Sequence, residues 1–437
     1  GWVAVPEGSV PSDDPGRTVA ATVGAPARTS LVHVGVTQHE PVALALARIA
    51  AGDLDAALVV GGETRASRAR VGRAGGEFPV PPNGAPDEPL RPTGELMAQP
   101  EIDAGMWSAV EHYACIDAAL GHAEGRSTSE LLDDIAALWA RFEEVAVHNP
   151  VAAFAGTRGV DGLRAPGPGN RLLAHPYAKW HSTQWTVDQA GALLLCSVAT
   201  ARAAGVAEDR WIFPRASLSS SFGLSLGRRA QIWRWPTMEV LGRAATEHLG
   251  RGPSDWDVLD LYSCFPAAVR VQQRELGLDP SGTPTVTGGM AFAGGPFNNY
   301  TYLSTAAVVD RLRDADGADP LGAVTTVSGL LTRGALAVWS TVPGDGLLLA
   351  DVGAAAAAAT ATCPLTGEAT GTASVAAATV TADPDGSPSG AFVLADLPDG
   401  TRWVGTSSDE GLWDAVTTTG LVGSAVEVDG RTCRPVG

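Results

Sequence analysis

The chain has 437 residues, 45% of them apolar, and a formal net charge of −18 from 48 acidic and 30 basic side chains. This length and apolar share suffice for the cores of two or three domains, and no run of 18 apolar residues is present to span a membrane. The acidic surface would repel a phosphate backbone, so we exclude nucleic acid as a partner and expect a soluble globular protein.

The five cysteines show neither a CxxC motif nor a cluster with histidine, which argues against a zinc site and against a disulfide framework. They are Cys115, Cys196, Cys264, Cys363 and Cys433. We therefore expect no metal and a reduced, cytoplasmic setting. The last two cysteines share the final segment and could pair there, although two free thiols is our prediction.

The first part of the chain predicts a strand end, a loop and a small helix around Arg17 to Val23, because residues 1–30 are rich in Pro, Gly and Ser. Gln38 to Ala51 is apolar nearly all round, which predicts a helix buried on every side. Gly52-Asp53 ends this helix before a predicted strand, Asp55 to Val60. Gly61-Gly62-Glu63 follows.

A cluster of arginines follows in an otherwise acidic chain: Arg65, Arg68, Arg70 and Arg73. Such a cluster can hold the phosphates of a polyanionic ligand, and a solvated loop is the alternative. Lys179 is the only lysine of the chain, a bias we attribute to base composition. A Schiff base at this lysine is the alternative.

The remaining elements follow from periodicity and turn residues. Residues 79–100 form a Pro-rich linker, and helices are predicted at 103–121 and 129–146. A buried strand and helix are predicted from Gly191 to Thr200. In the second half, the predicted strands are Arg210 to Pro214, Trp256 to Tyr262, Thr285 to Thr287, Ala323 to Gly329 and Gly334 to Val342, and the predicted helices are Met238 to Leu249, one ending at Leu276, and Leu303 to Leu312.

Residues 344–437 differ in character, with Asp-Gly and Pro-Gly turns between short alternating runs. The predicted strands include Thr379 to Ala382, Gly390 to Ala395, Arg402 to Thr406 and Ala425 to Val428. About six such strands in this length indicate a small antiparallel β-barrel. Its few aromatic and many acidic residues argue against binding of single-stranded nucleic acid.

Several stretches together resemble the thiolase superfamily. The glycine-rich segment Gly288 to Tyr300 (GGMAFAGGPFNNY) resembles the loop that presents a catalytic histidine as Gly-His-Pro, and the helix before Gly52-Asp53 resembles the one that carries the nucleophilic cysteine. Asn170-Arg171, Pro176-Tyr177-Ala178-Lys179 and Val187-Asp188-Gln189-Ala190 are similar to sterol-carrier-protein-type thiolases. With the added barrel, the whole pattern resembles the thiolase-like proteins of type one.

The resemblance implies an α/β thiolase fold, with two repeated βα halves in a layered αβαβα arrangement, plus the C-terminal barrel. The implied domains are residues 1–207, with an insertion at about 79–180, then 208–343, then the barrel at 344–437. It also leads us to expect an incomplete N-terminus that lacks the first strand and helix of the fold.

The family's catalytic side chains are missing at the positions that the resemblance assigns. The nucleophilic cysteine falls on Gly35, the histidine on Gly295 and the second cysteine on Val327. None of these side chains can attack a thioester or move a proton, so we expect no thiolase activity. The two glycines would also leave room for a bulky ligand.

Three functions remain open. The first is a binding protein for coenzyme A or an acyl-CoA thioester in lipid or sterol metabolism, with Arg65, Arg68, Arg70 and Lys179 as ligand-binding residues. The second is an acyltransferase or retro-aldolase, for which thiolase-fold aldolases suggest a tyrosine pair; its catalytic candidates are Tyr262, Tyr300, Asn298, Asn299 and His33. Both tyrosines are equally explained as pocket walls. The third is a structural subunit beside an active relative, and the chain itself is expected to be a monomer or a homodimer.

Overall fold

The computed structural model describes residues 1–9, 12–80 and 84–436. The strands are β1 Trp2–Pro6, β2 Arg28–Val32, β3 Ala56–Thr64, β4 Glu88–Leu90, β5 Leu172–Ala174, β6 Tyr177–Ala178, β7 Asp188–Cys196, β8 Phe213–Ser219, β9 Val258–Asp260, β10 Leu321–Ser328, β11 Arg333–Ser340, β12 Leu348–Asp351, β13 Leu365–Thr366, β14 Ala369–Ala382, β15 Pro388–Asp396, β16 Arg402–Ser407, β17 Ala425–Gly430 and β18 Thr432–Pro435. The α-helices are α1 Pro15–Thr22, α2 Glu40–Ala50, α3 Arg65–Arg73, α4 Gln99–Asp103, α5 Ala109–Ala123, α6 Thr128–Val147, α7 Gly159–Arg164, α8 Val198–Ala203, α9 Pro236–Leu249, α10 Pro266–Glu275, α11 Gly289–Phe292, α12 Tyr300–Arg313, α13 Gly353–Ala359 and α14 Glu410–Thr418.

The first sheet has the order β4-β2-β1-β3-β7, and only β7 runs antiparallel to its neighbour. Strand β1 lies at the centre of this sheet, and α1 follows it. Every residue of β1 is buried, and Trp2 donates its indole N–H to Ser30 Oγ at 2.8 Å. Hydrogen bonding to both neighbours holds this short strand in place.

The second sheet has the order β12-β8-β11-β10-β9, with β10 and β11 forming the predicted hairpin. Helices α2 and α12 contact strands of both sheets and fill the space between them. The core of this layer includes Trp2, Val42, Leu193, Tyr302 and Trp339. Helix α1 covers the outer face of the first sheet, and α9 covers the second. The result is the layered α/β arrangement that the sequence predicts.

The C-terminal barrel closes through the strand ring β14-β15-β16-β18-β17, which returns to β14. All four strand predictions named for this segment fall within strands of the ring. Helix α14 packs Leu412 and Val416 into the barrel core. Strand β12 pairs with β8 and so extends the second sheet instead of the barrel. Strand β14 also pairs with β5 of the insertion, at Thr381 and Ala174.

Four sequence predictions differ from the structure in detail. Helix α2 is not buried on every side, because Ala47 and Ala50 face solvent. Strand β7 lies at a sheet edge, and Leu194 is 73% exposed there, so this strand is half-buried. The strand predicted from residue 210 begins at Phe213 because a 3₁₀ turn occupies Glu208–Arg210. The strand predicted at 285–287 is an irregular segment.

Among the residues that the structure describes, no helix combines the length and apolarity needed to cross a membrane. Within the same ranges, no three histidine, cysteine or carboxylate side chains lie close enough together to hold a metal ion. All five cysteines are free thiols.

Candidate functional site

The glycine-rich loop is fixed to the second sheet by one buried carboxylate, Asp260 at the end of β9. Its Oδ2 accepts hydrogen bonds from the backbone N–H groups of Val286 and Thr287 at 2.9 and 3.0 Å, and from the hydroxyls of Thr285 and Thr287 at 3.0 and 2.9 Å. Because these N–H groups bind a side chain, they cannot pair with a neighbouring strand. The β-branched run at 285–287 is therefore irregular.

Tyr300, the first residue of α12, belongs to the same network. Its phenol donates to Asp260 Oδ1 at 3.0 Å and lies 2.6 Å from Thr287 Oγ1. Burial raises the pKa of this phenol well above its ordinary value, and the neighbouring Asp260 carboxylate raises it further. Tyr300 is thus an anchor of the loop, with its hydroxyl already engaged.

Tyr262 lies beside Tyr300, with the two rings edge to face and their centroids 5.9 Å apart. Its hydroxyl accepts a hydrogen bond from Gln38 Nε2 at 3.3 Å, and Gln38 Oε1 accepts from the backbone N–H of Thr301 at 2.9 Å. Burial raises the pKa of the Tyr262 phenol, and nearby Cys264 adds to that increase. The structure therefore brings the two candidate tyrosines together but makes Tyr262 a weaker acid than free tyrosine.

Two of the positions assigned to family catalytic residues lie side by side. Ser328, next to Val327, donates its hydroxyl to the carbonyl of Gly35 at 3.0 Å. Arg333 Nη1 donates to the same carbonyl at 3.2 Å. The hairpin of β10 and β11 therefore meets the segment before α2 at this point.

Gly295, the third position, is connected through the glycine-rich loop to the residues around Tyr262 and Tyr300, which we call the centre. A Cβ at Gly295 would lie 3.3 Å from Met290 Cβ, and the N–H of Met290 donates to Ser263 Oγ at 3.1 Å. Ser263 directly follows Tyr262. Gly295 is thus linked through Met290 to Ser263, the residue after Tyr262.

The expectation of an enlarged pocket is wrong at both glycines, because neighbouring side chains occupy the space. A Cβ at Gly35 would lie 3.0 Å from Pro92 Cβ, and Leu96 is also in contact range. A Cβ at Gly295 would approach Thr183 Cγ2 more closely than van der Waals contact allows. Gly35 also has a φ of 97°, a conformation that glycine adopts readily.

Asn299 is fully buried beside β3. A Cβ at Gly61 would lie only 2.5 Å from Asn299 Oδ1, so a glycine at position 61 leaves the space that the Asn299 amide occupies. Neither Oδ1 nor Nδ2 of Asn299 bonds to another residue in the described ranges. A buried amide without partners costs roughly 1–3 kcal/mol for each polar group, so a polar ligand atom would be favoured here.

His33 and Asn298 are both bound to Glu7. The carboxylate of Glu7 lies 3.1 Å from His33 Nδ1, and its backbone carbonyl accepts from Asn298 Nδ2 at 3.3 Å. Asn298 has a φ of 56°, which places it in the left-handed region. Both candidates therefore have partners other than the two tyrosines.

Sequence reasoning missed Tyr113 of the insertion and Arg229 of the second half, which pack near the same residues. Tyr113, on the inserted helix α5, stacks on Phe265 with ring centroids 4.6 Å apart. Arg229 Nη2 donates to the carbonyls of Leu330 and Leu331, both at 2.7 Å, and so holds the hairpin turn. Burial lowers the pKa of Arg229 to about 10. No local sequence pattern connects these residues with the motifs.

The arginine cluster forms helix α3 directly after β3. The Arg65 guanidinium stacks 3.9 Å above the Trp185 ring, and Arg68 donates to a backbone carbonyl of the loop after β1. Arg70 and Arg73 make local bonds within the helix. In the part of the chain that the structure describes, none of the four arginines has a carboxylate oxygen within 4.0 Å.

Lys179, the remaining candidate ligand residue, lies against a different ring. Its Nζ is 4.9 Å from the centroid of Trp180, and the side chain is exposed. Arg158 covers the same indole at 3.5 Å and is ion-paired with Glu143 at 2.6 Å. The lysine thus belongs to a cation–π cluster on the insertion.

Comparison with known proteins identifies the fold. No family model matches the sequence, and no curated protein matches it. Among solved structures, a monomeric SCP2-thiolase-like protein type 1 from Mycobacterium smegmatis is 26% identical and superimposes with a TM-score of 0.83. The match covers 100% of this chain and 90% of that one. Together with the layered sheets and the closed barrel, this similarity shows that the chain has a thiolase-like fold.

Proposed function

We propose that the protein binds an acyl-CoA or a related thioester and does not catalyse the thiolase reaction. Thiolysis needs a nucleophilic cysteine and groups that move protons. Gly35, Gly295 and Val327 supply none of these, and the space next to the glycines is filled. Tyr262 does not replace them as an acid, because burial raises the pKa of its phenol.

The observation that carries the proposal is the set of arginines on α3 that lack carboxylate partners. Acidic residues outnumber basic ones by 48 to 30 in this chain. A basic helix whose four arginines form no ion pair with any residue that the structure describes is therefore unusual. Arginine binds phosphate through paired hydrogen bonds of high strength. The exposed face of Trp185 beside Arg65 adds a surface on which a planar ring can stack.

Strand β3 links α3 to the buried amide of Asn299. Asn299 contacts β3 at Gly61, and α3 begins at Arg65. At about 3.3 Å per residue, these two points are roughly 13 Å apart along the strand. A ligand with a phosphate-bearing head on α3 could therefore extend an arm toward the unpaired amide of Asn299. Coenzyme A thioesters have this form, and a role in cytoplasmic lipid metabolism would follow.

Calorimetric titration with coenzyme A and acetyl-CoA tests the proposal. Each lost charge-assisted hydrogen bond costs roughly 1.5–3 kcal/mol, so the double substitution Arg65→Ala and Arg68→Ala should weaken binding at least about tenfold. Arg434→Ala removes an exposed arginine from the barrel and should leave binding unchanged. Equal effects of both changes would show nonspecific charge attraction.

A thiolase assay on the same preparation completes the test. We expect no rate above that of heat-inactivated protein, because Gly35, Gly295 and Val327 supply neither nucleophile nor base. A thiolase rate of the wild-type protein above this background would contradict the proposal. Absence of binding to both coenzyme A and acetyl-CoA would refute ligand binding and favour a structural role beside another protein.

A further inference from the structure

A cavity of about 80 Å³ lies between the insertion and the barrel, and none of its lining residues belongs to the candidate site above. Helix α5 and the start of α6 form one wall. Strand β14, the end of α14 and the turn after it form the other, and His175 contributes from the end of β5. The cavity therefore exists only where the barrel meets the thiolase-like part.

Two glycines in the turn after α14 allow this close approach. Gly420 and Gly423 have φ values of 81° and 86°. A Cβ at Gly420 would lie 3.4 Å from Thr128 Oγ1, and one at Gly423 would lie 3.1 Å from His122 Cε1. A Cβ at Gly420 would be in ordinary contact with Thr128, whereas one at Gly423 would crowd the His122 ring. The positive φ values and the missing side chain at Gly423 therefore let the turn approach α5 closely.

The lining offers hydrogen-bond donors and no carboxylate. His122, Arg126 and His175 line the cavity, whereas no aspartate or glutamate does so in a chain with 48 of them. Neither imidazole ring bonds to another residue of the described ranges, while Arg126 is paired with Asp134 at 3.0 Å. Burial lowers the pKa of His175 to about 4, so its ring is neutral near pH 7 and still donates one N–H.

Most of the remaining lining is small or aliphatic. Ala118, Leu131 and Val416 supply aliphatic contacts, and Thr128 and Thr419 add two hydroxyl-bearing residues. Because one water needs roughly 10–15 Å³, the volume corresponds to about five to eight non-hydrogen atoms. Donor groups together with a short aliphatic surface fit a small molecule with one anionic head.

We propose that this cavity binds a short-chain monocarboxylate of about two to four carbons, with the carboxylate toward His122, Arg126 and His175. The bound acid would contact both the insertion and the barrel and so stabilise their interface. This site is independent of thioester binding at α3. Each could exist without the other.

Carbon-13 labelling of histidine makes the test direct, because the chain has only 8 histidines. Titration with propionate should shift two imidazole signals saturably, and His122→Gln and His175→Gln should each remove one of them. Propylammonium and chloride at the same concentrations should shift neither. An equal response to chloride would show a general ion effect and overturn the proposal, as would the absence of any shift.

Filling the cavity provides the structural control. Ala118→Leu places a larger side chain in the cavity from α5, and the propionate response should be lost. Ala123→Leu, at the exposed end of the same helix, should keep the response. If Ala118→Leu does not fold, Thr419→Leu fills the cavity from the barrel side and tests the same point. An unchanged response in a folded cavity-filling variant would refute the site.

Discussion

Removal of the Asp260 carboxylate should strongly destabilise the protein, because this group anchors the loop to the sheet. Its Oδ2 accepts from two backbone N–H groups, and its Oδ1 accepts from the hydroxyls of Tyr300 and Ser304 at 3.0 and 2.9 Å. Asp260→Ala leaves all these donors buried. At roughly 1–3 kcal/mol for each unsatisfied group, the two backbone groups alone predict a loss of about 4 kcal/mol.

Asp260→Asn should cost less, about 2 kcal/mol, because its amide oxygen can still face the two backbone N–H groups. Its NH₂ would then face Tyr300 and Ser304, whose hydroxyls can rotate to accept. Urea unfolding followed by tryptophan fluorescence measures both losses. Asp279→Ala, an exposed carboxylate bonded only to Ser281, is the control and should change stability by less than about 0.5 kcal/mol. A loss below about 1 kcal/mol for Asp260→Ala would refute the anchor role.

Three further predictions concern the centre and the insertion. Gly295→His should lower the melting temperature and restore no thiolase activity, because Thr183 occupies the space that the histidine would need. Adding Thr183→Gly should relieve the clash. A Gly295→His variant as stable as the wild type would contradict this prediction. Tyr262→Phe removes one hydrogen bond of 3.3 Å and should leave coenzyme A binding unchanged, so calorimetric loss of binding would show a direct role. Burial raises the pKa of Glu111 from 4.5 to about 7. Between these two pH values the native state binds a proton that the unfolded state has lost, so the free energy of unfolding should fall as the pH rises from 4.5 to about 7. Glu111→Gln should flatten this decline in melting temperature, and an unchanged slope would exclude Glu111 as its source.

Elements with a strong local pattern could be predicted from sequence, whereas those fixed by distant partners could not. The barrel strands and the β10–β11 hairpin lie between turn residues, and their positions were predicted, although β14 begins at Ala369, ten residues before the predicted run. Strand β1 was missed because its burial comes from β2 and β3 on either side. The segment 285–287 has strand-forming residues, but Asp260 takes the backbone hydrogen bonds that a strand would need.

The site was partly predictable for the same reason. Motif order located Tyr262 and Tyr300, and the structure places their rings together. Whether a residue is chemically available depends on its surroundings, which no motif encodes. Asp260 engages one phenol, and Thr183 fills the space at Gly295 from a loop more than a hundred residues away in sequence.

The glycine-rich loop is held by the segment that follows the insertion. The backbone carbonyl of Gln184 accepts from the N–H of Gly295 at 3.0 Å, and Gln189 Nε2 donates to the carbonyl of Ala293 at 2.8 Å. The insertion itself pairs with barrel strand β14 through β5. Residues 172–189 therefore contact the barrel at one end and the glycine-rich loop at the other. The added domain is thus connected to the loop by one short stretch of chain, a connection that no sequence motif reveals.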